Sequence, residues 1–328
     1  GPVRFLLRAG LPDDARAAFD YMHLCATVEG DYSNSCASRL RPEDAGAEPD
    51  WLALGPFGDR QRAEGPSHIP LMARALIDWT GDGALLAERW DWLRRGLLGQ
   101  TVEEGGRQPF SGDETYRPAM SATVGLPLTF PYEERAWSAL SSLLLASAGE
   151  WMAEAGAAAG LPGVEELAAL GALGRQALNE TFLDPVQGIT PYVLREDDER
   201  APAAFEDVSL QALWTGAFTP DDPVALSLLA GIDARAGRGD GVFQSPLHPD
   251  FFGAFDLPIY EGIATGMVAG FALHTLTSLG HDDAGGAFDA LHSFADPAGQ
   301  YSEDVIYDDR SALQPLYDRT GFIGDYAA

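Results

Sequence analysis

Two short acidic segments hold residue types suited to proton transfer. PFSGDETYRP (109–118) sets Asp113 and Glu114 beside Tyr116 and Arg117, and GQYSEDVIYDD (299–309) sets Glu303 and Asp304 between Tyr301 and Tyr307. A carboxyl group buried against aromatic rings loses the solvation of its charged form, so its pKa rises and it can act as a general acid. A carboxylate in a more polar setting stays ionised and can act as a base. Two carboxyl groups in unlike surroundings are what acid–base bond cleavage requires. The plainer account of the same residues is a turn-capping Asp113 and solvated loop acids at Glu114 and Glu303.

Other acids stand where apolar stretches begin: Glu133 and Glu134 in PYEER, Glu206 and Asp207 in FEDVS, and Glu261 in IYEGIATG. Each suits the positive end of a helix dipole. With Tyr132, Phe205, Trp214 and Tyr260 close by in sequence, the same acids would also suit hydroxyl groups and the apolar face of a pyranose ring. A first long loop adds Tyr32, Asn34, Trp51, Asp59, Arg60 and His68. The candidate ligand-binding residues are therefore Asp113, Tyr116, Arg117, Tyr32, Trp51, Arg60, His68, Glu206, Tyr260, Glu261, Tyr301 and Asp304, around the candidate catalytic pair Glu114 and Glu303. His68, His248 and His281 fall in expected loops or turns, and His23, His274 and His292 on expected helices. No His-x-x-x-His or Glu-x-x-His pair occurs, so no metal site is expected. No phosphate-binding glycine motif or nucleophile elbow occurs either, and no cofactor is expected.

The formal net charge is -29, and every basic residue is Arg or His. Nucleic acid and anionic membranes need a basic footprint and are not expected as partners; a neutral oligo- or polysaccharide is compatible. An all-arginine cation set fits a GC-rich genome or salt adaptation and says nothing about the reaction. No apolar run approaches the ~20 residues that span a bilayer. No charged-then-apolar leader opens the chain. Cys25 and Cys36 make neither a disulfide framework nor a zinc cluster, so buried free thiols and a reducing, cytoplasmic setting are the expectation.

The elements that must position these residues are helical. DDARAAFDYMHLCATVEGDYSN (13–34) aligns without a gap on DDAGGAFDALHSFADPAGQYSE (282–303), with about half the positions identical. The shared pattern is an acidic first turn, a Phe on the apolar stripe, a late His and a G-x-Y-S loop. Related amphipathic helices begin near Asp82, Gly163 and Asp221, so five starts recur at about 60–80 residue intervals, the length of a helical hairpin with its loops. Between them lie helices apolar on nearly every face, at 69–79, 135–152, 208–218 and 264–279. A helix apolar all round is an inner one.

The grammar is an outer helix, a long loop, an inner helix and a short turn. It predicts an all-α, (α/α)6-type toroid forming one catalytic domain over 1–328, with its long loops gathered on one face. RFLLRAG at the start reads as the tail of an inner helix, and SALQPLYDRTGFIGDYAA at the end as a last inner element. A ring of six would then lack its first outer helix, through truncation, incompleteness or closure by another segment. Glu114 follows the second visible outer helix and Glu303 the fifth. Three hairpins are half a turn of a six-hairpin ring, which would set the two carboxyl groups across a central pocket.

GQYSED (299–304) resembles the Ser-x-Glu segment that carries the catalytic base of glucoamylases. SGDETYR (111–117) is similar to the Gly-x-Asp-Glu-Tyr segment that carries the general acid of maltose phosphorylases, with Thr115 inserted before Tyr116. By these segments the chain resembles the six-hairpin glycosidase superfamily of glucoamylases, trehalases and maltose or kojibiose phosphorylases. The resemblance implies Glu114 as acid and Glu303 as base of an inverting glycoside hydrolase. It departs in lacking an N-terminal β-sandwich and the tryptophan-acid motif of glucoamylases. The alternatives are a glycoside phosphorylase, a polysaccharide lyase or sugar epimerase on the same ring, and a non-catalytic glycan-binding toroid.

Overall fold

The structure, a computed structural model, describes residues 2–29, 40–47, 65–108, 136–184, 188–189, 192–195, 200–202, 208–228, 263–292 and 304–306. These are mostly helical. The helices are α1 (Pro2–Arg8), α2 (Pro12–Glu29), α3 (Gly65–Thr80), α4 (Ala84–Leu98), α5 (Ala139–Ala158), α6 (Val164–Ala177), α7 (Val208–Thr215), α8 (Gly266–Ser278) and α9 (Ala284–His292). The strands are short: β1 (Ala136–Ser138), β2 (Leu183–Asp184), β3 (Gly188–Ile189), β4 (Tyr192–Arg195), β5 (Arg200–Pro202), β6 (Ile263–Thr265) and β7 (Asp304–Ile306). No described helix is long and apolar enough to cross a membrane. The chain divides into two compact units, one of Gly1–Ser111 with Arg135–Thr181 and one of Gly112–Glu134 with Phe182–Ala328.

One turn repeats along the chain. Gly10, Gly81, Gly160, Gly216 and Gly280 each follow an inner helix and take left-handed φ values between 63° and 78°. An L-residue with a Cβ resists this conformation, and glycine does not. At three of the turns the next residue's N–H reaches back to the same carbonyl in the helix: Leu11 to Leu6 at 2.9 Å, Leu161 to Gly156 at 2.8 Å and His281 to Leu276 at 2.9 Å. The backbone reverses within a few residues, and α2, α4, α6 and α9 follow. A further helical turn begins at Ala225 after the Gly216 turn.

The first unit has two layers. The inner helices α1, α3 and α5 pack side by side in chain order, and α2, α4 and α6 cover them. Every residue from Ala139 to Gly149 of α5 is buried, as expected for a helix with apolar and small residues all round. α6 instead buries one stripe, Leu167, Leu170, Gly171, Gly174 and Ala177. The two helices touch backbone to backbone: a Cβ on Gly149 would lie 2.7 Å from the Cα of Gly171. Arg175 of α6 clamps Glu150 of α5 through Nε at 2.9 Å and Nη2 at 2.7 Å. Trp90 of α4 lies against Gly156 and donates from Nε1 to the Pro162 carbonyl at 3.0 Å.

Outer helices α2 and α4 are joined by charge. Arg16 reaches Asp20 at 2.9 Å and Glu88 at 2.8 Å, and Arg89 reaches Asp20 at 2.8 Å. Burial by itself would raise the Asp20 pKa, but hydrogen bonds from Arg89 and Arg16 outweigh it and hold the carboxyl below its ordinary range. Phe19 and His23 pack edge-on against Trp92, with ring centroids 5.7 Å and 4.7 Å apart.

In the second unit α7 packs against α8, and α8 against α9. Thr275 of α8 donates its hydroxyl to the Leu210 carbonyl of α7 at 3.1 Å. Leu210, Ala272, Leu276 and Ala287 form the buried cluster between these helices.

Three expectations need correction. Phe288, matched by the repeat to the buried Phe19, is 60% exposed, because Ala287 takes the inward position on α9. The repeat therefore preserves helix and turn, not one identical buried stripe. His68 lies in the first turn of α3 rather than in a loop, since α3 starts at Gly65 and proline is well suited to an opening turn. Cys25 is disulfide-bonded rather than a free thiol. A single local bridge needs only two cysteines, so a low cysteine count does not argue against one. Cys36, the only other cysteine in the sequence, and the expected last inner element at 311–328 lie outside the described residues.

Four outcomes are expected. Gly149→Ala should lower Tm, because about 1–3 kcal/mol of overpacking outweighs a helix-propensity gain of about 1 kcal/mol. Gly285→Ala, in open space on α9, should leave Tm unchanged or raise it. In denaturant, iodoacetamide should add nothing to the intact mass until reductant is present, and two adducts afterwards. Asp20→Asn should destabilise the protein at pH 7 by less than about 1 kcal/mol, because the paired side chains are partly exposed. A lowered folded pKa stabilises above the unfolded value of about 3.9 and ceases to do so as pH falls through the folded one, so wild type and variant should converge in acid unfolding curves.

Candidate functional site

The short turns lie at the C-terminal ends of the inner helices, and the side chains that brace the chain around Gln100–Gln108 lie near the N-terminal ends of α3 and α5. In the first unit the chain leaves α4 at Gln100 and makes a tight turn over Glu104–Gly106. Gly105 and Gly106 both have positive φ, 76° and 79°. A Cβ on Gly106 would lie 1.8 Å from the Leu173 carbonyl oxygen, so only glycine allows this turn to lie against α6. The turn closes by hydrogen bonds from Gly106 N–H to the Glu103 carbonyl at 3.0 Å and from Glu103 N–H to the Arg107 carbonyl at 2.8 Å.

Beyond it lies a polar cluster inside an otherwise apolar layer. Gln108 Nε2 donates to Gln100 Oε1 at 2.8 Å, and Gln100 Nε2 donates to Ser67 Oγ at 3.2 Å and to the Leu97 carbonyl at 3.4 Å. Ser67 stands in the first turn of α3, beside half-buried His68. A second brace runs to the start of α5. Trp137, buried in β1, donates from Nε1 to Glu103 at 3.1 Å, and the Arg107 guanidinium lies 4.4 Å from the centre of the Trp137 ring.

In the second unit strand pairs do the equivalent work. β6 runs directly into α8 and pairs antiparallel with β7, with Thr265 opposite Asp304 and Ile263 opposite Ile306. The backbone of Asp304 is thus held at the start of an inner helix. β3 is held to α7 in the same manner: Ile189 N–H donates to Ser209 Oγ at 2.9 Å, and the Ser209 hydroxyl donates to the Ile189 carbonyl at 3.1 Å. β4 and β5 form an antiparallel pair with Val193 opposite Ala201. Trp214 of α7 meets Phe271 of α8 edge-on, 5.0 Å between centroids.

Of the residues singled out from the sequence, His68 lies in the first unit and the Asp304 backbone in the second. Glu114, Glu303, Asp113, Tyr116, Arg117, Tyr32, Trp51, Arg60, Glu206, Tyr260, Glu261 and Tyr301 lie outside the described residues. The late histidine of the repeat has no common role, since His23 packs on Trp92 and His292 is exposed at the end of α9. Among the described residues no group of three His, Cys, Asp or Glu side chains could hold a metal ion. Sequence reasoning missed Ser67, Gln100, Glu103, Arg107, Gln108 and Trp137. They carry no periodicity, because each stands alone at the end of an element; the one available signal was a glutamine directly before Pro109.

No protein-family pattern matches the chain, and no curated protein matches it in sequence. Solved structures do match. An uncharacterized conserved protein from Thermus thermophilus is 12% identical, with a TM-score of 0.53 over 75% of this chain and 72% of that one. A GH78 family rhamnosidase of a Bacillus species is 16% identical, with a TM-score of 0.44 over 69% of this chain and 20% of that one. The first likeness is one of fold.

Proposed function

We propose that the chain is a carbohydrate-active enzyme, an inverting glycoside hydrolase built on a ring of helical hairpins, with Glu114 as general acid and Glu303 as general base. The observation that carries this reading is the order of the hairpins. Glu114 follows α4 and Glu303 follows α9, three hairpins later, which is half a turn in a ring of six. The recurrent glycine turn supports it, since it makes the hairpin a true repeat unit.

In the proposed mechanism Glu114 protonates the leaving glycosidic oxygen while Glu303 takes a proton from the attacking water. Inversion requires about 6.5–9.5 Å between the two carboxyl groups, room for that water on the far side of the anomeric carbon. Tyr116, Trp51, Tyr260 and Tyr301 would stack on sugar rings. Asp113, Arg117, Tyr32, Arg60, His68, Glu206, Glu261 and Asp304 would bind hydroxyl groups. A neutral oligo- or polysaccharide suits a chain of net charge -29 better than an anionic polymer.

Reducing-sugar release from a panel of neutral glycans, with and without phosphate, tests the reading. Glu114→Gln and Glu303→Gln should each lose about 10²–10⁴-fold in activity without loss of fold. Full activity in both variants would sink the two-carboxylate mechanism. Loss in Glu114→Gln alone, together with phosphate dependence, would replace hydrolysis by phosphorolysis.

A further inference from the structure

We propose that the exposed face of α9 bearing Phe288, Asp289 and His292 is a docking site for an amphipathic helix of another protein, one that carries arginine and tryptophan three residues apart. The first unit shows what such a face holds. On α2 the same residue types stand at the same spacing, as Phe19, Asp20 and His23. Phe19 and His23 both meet the Trp92 ring edge-on, and Asp20 accepts a hydrogen bond from Arg89 at 2.8 Å. Arg89 and Trp92 are three apart on one face of α4. The α2 face is thus a three-point clasp for a neighbouring helix, and Phe19 is fully buried in it.

On α9 the same three residue types are exposed, Phe288 to 60%. Residues three and four apart are neighbours on a helix, so the three share one side of α9 with Gly285. A single exposed phenylalanine is ordinary on a protein surface. A phenylalanine, an aspartate and a histidine in the spacing that grips a helix on α2 are a matched set. Gly285 leaves room for the incoming cation. It stands where α2 has Arg16, which bonds to Asp20 four residues on at 2.9 Å. α9 gives Asp289 no such internal partner, and among the described residues no ion pair reaches it. Glycine inside a helix is unfavourable, and a Cβ on Gly285 would meet nothing within 4 Å. Gly149, Gly171 and Gly174, by contrast, each lie against a neighbouring helix. The open space over Gly285 admits a helix at similarly close range. The partner is a different protein, because Arg-x-x-Trp occurs once in this sequence, at Arg89–Trp92, where both side chains are engaged by α2. Two copies pairing through α9 would bring their Asp289 carboxylates together with no cation between them.

The probe is a fluorescein-labelled peptide with the sequence of α4, residues 84–98, titrated with the full chain and followed by anisotropy. Binding should saturate at one peptide per chain. Phe288→Ala and Asp289→Asn should each weaken it roughly ten-fold or more, as should Arg89→Ala or Trp92→Ala in the peptide. Both altered positions on α9 are exposed, so circular dichroism and Tm should match wild type. Charge reversal tests the pairing itself: Asp289→Arg should abolish binding of the native peptide and restore it for a peptide with Arg89→Asp. Binding that persists unchanged in Phe288→Ala and Asp289→Arg would overturn the proposal, since the peptide would then be replacing α4 in the first unit. Absence of saturable binding to wild type would overturn it as well. Self-association of the free chain that is lost in Phe288→Ala would also overturn it, by making a second copy the occupant.

Discussion

Among the described residues, each inner helix that an outer one follows ends in a left-handed turn of the backbone. Glycine at that point costs little, and the recurrent N–H bond back into the last helical turn satisfies a carbonyl that would otherwise be orphaned. Much follows from this one conformation. It keeps the return short and lays the outer helix back along the inner one.

Packing density then fixes how close the two layers come. Gly149 facing Gly171 brings the α5 and α6 backbones into contact, which is too close for any side chain between them. Larger residues flank this seam, and Arg175 closes its solvent edge on Glu150 with two parallel bonds. With no lysine in the chain, such pairs rest on arginine, whose planar fork holds a carboxylate in one geometry. The acidic excess is thus ordered locally where α2 meets α4, around Arg16 and Arg89.

The helical grammar was legible in the sequence because its signals are periodic and local. All-round apolarity over 135–152 announced an inner helix, and the recurring amphipathic helix starts announced the outer ones. Burial of a particular stripe was less legible. On α9 Ala287 is buried and Phe288 exposed, and the aligned phenylalanines hide this. The buried polar cluster at the start of α3 was not legible at all. Gln100, Gln108 and Ser67 meet from three separate elements, and only tertiary packing brings such residues together. The small strand pairs escaped notice for a related reason: β6 and β7 are three residues each and about forty apart, too short for alternation to register.

The discontinuity of the first unit bears on how the chain is made. Helices α1 to α4 leave the ribosome first, yet α5, the helix on which α3 packs, comes only after the chain has passed through residues 112–134 of the other unit. At about 5–20 residues per second, the interval between the end of α4 and the end of α5 is roughly 3–12 s. During that time the flank of α3 destined for α5 has no partner from its own unit. Chaperone capture, translation pauses and the pace of the growing chain therefore act on that apolar flank, and a slower stretch after α6 would give the first unit time to close.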